Sequence, residues 1–312
     1  MFSYRHAFHA GNHADVIKHI TLIATLRHLM LKEPAITLVD THAGAGLYRL
    51  DGDYAEKGGE AADGIVKLMA ALRPSSGEAV PSTAALDDYL DLVAGFNPDG
   101  ALRVYPGSPF VMQALMRTES RDRLKLFELH PTDSRTLNAN VAQLEAGRQI
   151  TVTTQDGFES LKPMLPPPPS AGGSKRALVL IDPSYEIKID YSKVSACIQE
   201  SIKRFPTGCY LVWYPIIPRP EAHDLPRRLK TLCNQAQRPW LHATLNIGQK
   251  DLQPGERQGL TASGMFVVNP PHPLKAQLSE TLPVVLAHLG RGRGRSHSVE
   301  SGGSCLFYPS DA

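Results

Sequence analysis

Acidic residues stand directly after several apolar runs in this 312-residue chain, and the clearest case is Ala177-Leu178-Val179-Leu180-Ile181 followed by Asp182-Pro183-Ser184-Tyr185. An acid leaving a buried strand, fixed by a proline and followed by an aromatic ring, suits one chemical task. The exocyclic amine of adenine is a poor nucleophile because its lone pair is delocalised into the ring. Hydrogen bonds from its N–H groups to a carboxylate and a backbone carbonyl localise that pair and prepare for loss of a proton. Asp182 and the carbonyl of Pro183 have the types and order for this, and Tyr185 can stack on a base withdrawn from its helix. The same residues also make an ordinary type I turn, with Asp first and Pro second, so their neighbours decide.

Three further acids end apolar runs. Asp40 closes Ala35-Ile36-Thr37-Leu38-Val39 and opens into Thr41-His42-Ala43-Gly44-Ala45-Gly46, where Gly44 and Gly46 let the backbone approach a ligand. A dinucleotide fingerprint needs a third glycine and an acid about twenty residues on. Arg49 stands at the glycine position and the next strand-terminal acid is Glu128, which disfavours a plain nicotinamide site. Glu128 can accept both hydroxyls of a ribose, or serve as a salt-bridged or capping acid. Asp156, in Gln155-Asp156-Gly157-Phe158, can bind an adenine amino group or cap the next helix. Acids at successive strand ends, together with the glycine turn, favour an enzyme.

These residues need a scaffold, and the periodicities supply one. Strand-like runs at 35–40, 124–129, 150–154, 177–181 and 209–213 alternate with helical patterns at 134–144, 157–165 and 191–204. That alternation predicts an α/β, Rossmann-like, mostly parallel sheet with helices on both faces and ligands beyond the strands' carboxyl ends. An amphipathic pattern at 14–31 predicts a first helix, capped by Asn12 or Asp15. Segments 241–247 and 264–268 are expected as an antiparallel pair at one edge. Helical stretches at 60–72 and 84–96 predict an insertion over 51–102, set in a core of 1–50 and 103–290. Pro106-Gly107-Ser108-Pro109 opens another helix, and the Arg291-Gly292-Arg293-Gly294-Arg295 run predicts a loose tail over 291–312.

Composition excludes more than it specifies. The chain is 42% hydrophobic and 21% charged, ordinary for a globular fold, and its formal charge of +2 does not by itself demand a nucleic-acid partner. Cys197, Cys209, Cys233 and Cys305 form no CxxC pair, so neither a disulfide framework nor a zinc site is expected. No apolar run is long enough to cross a bilayer, and residues 1–6 lack a signal-peptide layout. A cytoplasmic monomer without membrane or metal is the expectation. His6, His9, His13, His19, His28 and His42 match no zinc spacing and are expected to wall a ligand pocket.

The motifs also resemble a known family. Phe2-Ser3-Tyr4-Arg5-His6, His9-Ala10-Gly11-Asn12-His13-Ala14-Asp15-Val16 and Lys18-His19 resemble the opening of the RlmJ family of large-subunit ribosomal RNA adenine-N6 methyltransferases. The likeness continues in Asp40 to Gly46, Tyr105-Pro106-Gly107-Ser108-Pro109, Glu128-Leu129-His130-Pro131, Asp156-Gly157-Phe158, Trp213-Tyr214-Pro215 and Thr261-Ala262-Ser263-Gly264-Met265. It implies a methyltransferase fold with a helical insertion, S-adenosylmethionine as donor and one adenine of 23S ribosomal RNA as acceptor. It implies cofactor contacts at His19, His42, Ser108, Glu128, Asp156 and Gly157, beside the glycines Gly44 and Gly46. Asp182 matches the catalytic acid, acting with Pro183 and Tyr185, while Tyr4, Lys18 and Tyr185 fall on the RNA substrate. The family pattern reads Asp-Pro-Pro-Tyr, and here Ser184 replaces the second proline. The Asp182 motif is shared by DNA adenine methyltransferases, and a non-catalytic RNA-binding assembly factor is the reading outside enzymes.

Overall fold

A computed structural model of the chain describes residues 8–51, 60–74, 80–169, 173–250 and 259–303. Its first helix, α1 (His13–Leu29), is capped by Asn12, whose Oδ1 accepts the N–H groups of Ala14 at 2.9 Å and Asp15 at 3.1 Å. Every residue from His13 to Leu26 is buried. A helix without a solvent face must satisfy its polar side chains inside the protein, and His13, Asp15, Lys18 and His19 all lie on this stretch.

Among the described residues the main sheet has eight strands. At its centre β1 (Thr37–Asp40) lies parallel to β4 (Arg123–Phe127) on one side and β6 (Ala177–Ile181) on the other, with Leu38 opposite both Leu124 and Leu178. Next to β4 runs β5 (Ile150–Thr153), and next to β6 runs β7 (Cys209–Pro215), both parallel. All five residues of β6 are buried, as a strand covered on both faces requires. The chain leaves β1 to one side and returns to the other, so the carboxyl end of β1 is the switch point where such sheets bind ligands. The edge is antiparallel: β9 (Ala262–Val268) pairs with β7 and with β8 (Trp240–Asn246). A separate hairpin joins β2 (Leu47–Arg49) to β3 (Val104–Pro106).

Helices α4 (Ser108–Leu115), α5 (Pro131–Ala142), α6 (Gly157–Met164) and α7 (Ile189–Arg204) follow the strands as the alternation predicts. Between β2 and β3 the described residues form a π-helical turn, Ala62–Val66, then α2 (Lys67–Leu72) and α3 (Ala84–Gly95), which contact α9 (Leu274–Leu289). Two helices have no counterpart in the sequence reading, α8 (Pro220–Gln235) and α9. Each carries an internal proline, Pro226 or Pro283, a residue that counts against a helix when the sequence is read alone.

The tail requires a correction. Ser296–Gly302 is strand β10, paired with β8 over seven residues from Ser296–Asn246 to Gly302–Trp240. The backbone ladder orders a segment whose side chains are mostly exposed. Glu300 adds a side-chain tie through its contacts to His242 Nδ1 at 2.7 Å and to Lys230. The Arg-Gly run is therefore the link from α9 to an edge strand; residues 304–312 lie outside the described residues.

Candidate active site

A cavity of about 480 Å³ opens at the switch point. Its lining includes Lys18 from α1, His42 and Gly44 after β1, Ser108 from α4, Glu128 after β4, Asp156 and Gly157 at the start of α6, and Asp182, Pro183 and Tyr185 after β6. Residues from six separate stretches of sequence thus share one space. His19 and Gly46 do not line it, and Tyr4 lies outside the described residues.

At the end of β1, Asp40 is fully buried; its carboxylate accepts the Ser108 hydroxyl at 2.6 Å and the His42 N–H at 3.1 Å. Burial pushes its pKa up to about 6 although both hydrogen bonds oppose the shift. The Thr41 hydroxyl donates to the Leu180 carbonyl at 3.0 Å and lies 2.8 Å from His42 Nδ1. With its proton committed to Leu180, that oxygen accepts from His42, so Nδ1 carries the imidazole proton. Burial pulls the His42 pKa down to about 4 against the pull of Asp182 and Asp156, and its ring meets Phe158 edge-on at 4.8 Å. A neutral imidazole in a half-apolar wall results.

Glu128 is held at both oxygens. Oε2 accepts the Gly44 N–H and Oε1 the His130 N–H, each at 2.7 Å. Burial nonetheless raises its pKa. Each oxygen keeps a second lone pair, and the carboxylate is pre-oriented to receive two hydroxyls. Gly44 has φ +60, and a side chain there would run into the Tyr48 hydroxyl. At Gly157 a Cβ would lie on the Thr41 carbonyl oxygen, so glycine lets the start of α6 close against the end of β1. Asp156 caps that helix through Oδ1, 2.9 Å from the Phe158 N, while Oδ2 stands 3.6 Å from Lys193 Nζ. Its capping and lining roles coexist.

Across the switch point, Asp182 Oδ2 lies 2.7 Å from Lys18 Nζ, which is also 2.7 Å from Asp15 Oδ1. Asp15 Oδ2 in turn accepts the Gly11 N–H at 2.8 Å. Burial alone would lower the Lys18 pKa, but the two carboxylates outweigh it and raise it well above the ordinary value. Tyr185 is buried at φ +54; its hydroxyl donates to the Trp213 carbonyl at 2.7 Å and its ring packs on Tyr191 at 4.6 Å. It is a fixed part of the cavity wall. Pro183 is buried and Ser184 exposed.

Two expected cofactor residues lie elsewhere. His19 is fully buried, with Nδ1 2.7 Å from the Tyr105 hydroxyl and its ring stacked on Tyr105 at 5.5 Å. It joins α1 to β3, because an inward-facing imidazole on a helix without a solvent face bonds the nearest buried hydroxyl. Gly46 turns the chain at φ +82 where any side chain would strike Leu137 and Phe110, so its glycine serves packing. Among the histidines, His9 also lines the cavity, His13 Nε2 sits 2.9 Å from the Leu260 carbonyl, and His28 packs on His272. Asp15, which the sequence offered only as a helix cap, lines the cavity, as do Asp190, Lys193 and Arg219, which it did not single out. Only Asp15 left a sequence signal: an acid three residues before a lysine, on a helix apolar enough to be buried.

A family model described as Ribosomal RNA large subunit methyltransferase D, RlmJ, matches residues 33–300. The Ribosomal RNA large subunit methyltransferase J of Escherichia coli is 40% identical over 283 residues, 91% of this chain and 92% of that protein. Its namesake from Haemophilus influenzae is 39% identical over 284 residues, with the same coverage of both. A crystal structure of a Legionella pneumophila protein superposes with a TM-score of 0.76 at 29% identity, covering 96% of this chain and 99% of that one.

Proposed function

Because the chain belongs to the RlmJ family of ribosomal RNA large subunit methyltransferases, we propose that it methylates the exocyclic N6 of a specific adenine in 23S ribosomal RNA, with S-adenosylmethionine as donor. One observation carries this reading: Glu128, built to receive a ribose, and Asp182, built to receive an amine, line the same cavity.

The residues present fit S-adenosylmethionine. The cavity volume falls within the roughly 300–1,000 Å³ of small-molecule sites. Glu128 would hold the ribose hydroxyls, Leu129 and Phe158 would flank the adenine ring, and Gly44 and Gly157 line the same space. His42, Ser108 and Asp156 are the polar residues that would meet its remaining groups. When bound, S-adenosylmethionine supplies an electrophilic methyl group on a sulfonium sulfur.

The chain's own groups do the rest. Lys18 engages Asp182 Oδ2, leaving Oδ1 to accept a hydrogen bond from the target N6. With the Pro183 carbonyl accepting the second N6–H, the amine's lone pair is localised and aimed. Asp182 takes the proton that N6 loses; a weak base suffices, because an N-methylated adeninium is strongly acidic. Trp213 and Tyr185 give the base an aromatic surround. Alignment of the acceptor supplies much of the acceleration.

The test is methyl transfer from labelled S-adenosylmethionine to unmodified 23S transcript and, in parallel, to duplex DNA of the same sequence, with nucleoside analysis. Label in N6-methyladenosine of the RNA alone supports the reading. Label in DNA, in another nucleoside, or nowhere despite cofactor binding overturns it.

A further inference from the structure

A second cavity, of about 260 Å³, lies between the N-terminal halves of α7 and α8. It is smaller than the roughly 300–1,000 Å³ of sites that enclose a whole small molecule, and so suits part of a larger one. Two of its lining residues carry polar atoms that are shut away from solvent and bonded to nothing among the described residues. They are the hydroxyl of Tyr191, a residue only 4% exposed, and Oε2 of Glu221. A buried donor or acceptor without a partner is costly and rare. A donor and an acceptor left open on one recess point to an occupant that satisfies both.

The charges point the same way. Lys188 Nζ stands 3.4 Å from Glu221 Oε1, and Arg227 Nη1 stands 3.6 Å from Asp224 Oδ1, so two cations are matched by two carboxylates. Arg228 also lines the cavity, is exposed, and has no ion-pair or hydrogen-bond partner among the described residues. One positive charge is left over. Tyr191 and Glu221 both stand in the first turn of their helices, where the helix dipole adds to the attraction for an anion.

Position decides which anion. The Tyr185 ring, in the wall of the methyl-transfer cavity, packs on Tyr191 at 4.6 Å, so the two cavities stand back to back. The consecutive residues Ile187 and Lys188 line the first and the second, and both are exposed. An RNA strand that inserts one adenine into the first cavity carries its next nucleotides along the mouth, and this rim leads to the second. We propose that the second cavity is a subsite for a nucleotide next to the target adenine, with its phosphate on Arg228 and its sugar or base between the Tyr191 hydroxyl and the Glu221 carboxylate. The proposal rests on reading the first cavity as a site of RNA methylation. Contacts of this kind extend recognition beyond the target base, the phosphate setting the register of the strand.

The experiment compares wild type, Tyr191→Phe, Arg228→Ala and Lys203→Ala. Filter binding of unmodified 23S transcript at several salt concentrations gives the RNA Kd, steady-state transfer gives kcat and KM, and calorimetry gives the cofactor Kd. Tyr191→Phe removes the hydroxyl and keeps the ring that packs on Tyr185. It should raise RNA Kd and KM roughly 3–10-fold, the loss of one hydrogen bond, with kcat and cofactor Kd unchanged. Arg228→Ala should weaken RNA binding and lower the slope of log Kd against log salt by roughly 0.7–1. Lys203, exposed at the far end of α7, is the control for general charge and should change neither. RNA binding by Tyr191→Phe equal to that of wild type overturns the proposal and leaves a recess without a nucleotide. So does a matching rise in cofactor Kd, which would place the effect in the first cavity, or an equal loss in Lys203→Ala. Wild type that binds RNA without transferring a methyl group would fail the functional reading alone, because the Kd comparison still decides the second cavity.

Discussion

Lys18 Nζ stands 2.7 Å from Asp182 Oδ2 and 2.7 Å from Asp15 Oδ1, so a single buried ammonium joins two carboxylates, one of them 164 positions away in sequence. The three charges sum to one negative at the edge of the cavity. Lys18→Met would leave two carboxylates facing each other with no cation between them. Removing one partner of a buried ion pair costs about 3–5 kcal/mol, so urea unfolding should show a loss of that order, and Lys18→Arg a smaller one. Because the Lys18 pKa is raised, its contribution is complete below the ordinary value of 10.5 and fades only as pH rises towards the folded value. The gap between wild type and Lys18→Met should therefore hold through neutral pH and narrow in alkali; a gap that narrows near neutrality contradicts the assignment.

Asp40 gives a second pH signature with the opposite cause. Its carboxyl rises from 3.8 to about 6 on burial, so the folded state binds more protons between those values and stability falls as pH climbs through them. The shift corresponds to roughly 3 kcal/mol. Asp40→Asn removes that titration. The melting temperature of the variant relative to wild type should rise from acid pH up to about 6 and then level off. A difference independent of pH would show that Asp40 is not held protonated by burial.

Glu128 has both oxygens accepting backbone N–H groups. Glu128→Gln replaces one acceptor with an NH2 that must face an N–H, and the buried donor loses its partner. Calorimetry should show cofactor Kd rising about tenfold or more, while kcat at saturating cofactor changes little. A fall in kcat with Kd unchanged would move Glu128 to the reacting end of the cavity.

Gly157→Ala tests the close approach of α6 to β1. The added methyl meets the Thr41 carbonyl oxygen and its backbone neighbours, which cannot swing aside as a flexible side chain would. Both stability and cofactor affinity should drop, read as a lower melting temperature and a higher Kd in the same preparation. Loss of neither would mean that the two segments separate readily.

How far the sequence alone carried the fold can be judged from particular elements. Strand β6 is five apolar residues ending in an acid, and its full burial follows from that pattern. Asn12 and Asp156 cap helices because their short side chains accept backbone N–H groups. The helices around Pro226 and Pro283 were not legible, since packing outweighs the local propensity of proline. Nor was β10, whose exposed side chains have no alternating apolar face; pairing with β8 makes it a strand. Within the site, Asp182 and Glu128 stood out at strand ends, but the Asp15–Lys18–Asp182 bridge and the Arg219 contact to the Tyr185 carbonyl depend on residues brought together only by the fold. The surroundings of His19 were not legible, because a buried imidazole looks the same in sequence whether its partner is a ligand or the hydroxyl of Tyr105.

The most direct measurement is single-turnover methyl transfer to 23S transcript by Asp182→Ala, alongside calorimetric binding of S-adenosylmethionine to the same protein. With Asp182 receiving the amine and Glu128 the ribose, transfer should fall by about 10²-fold or more, while cofactor Kd stays close to that of wild type. Transfer at the wild-type rate by a variant that binds cofactor normally would contradict the account at its centre.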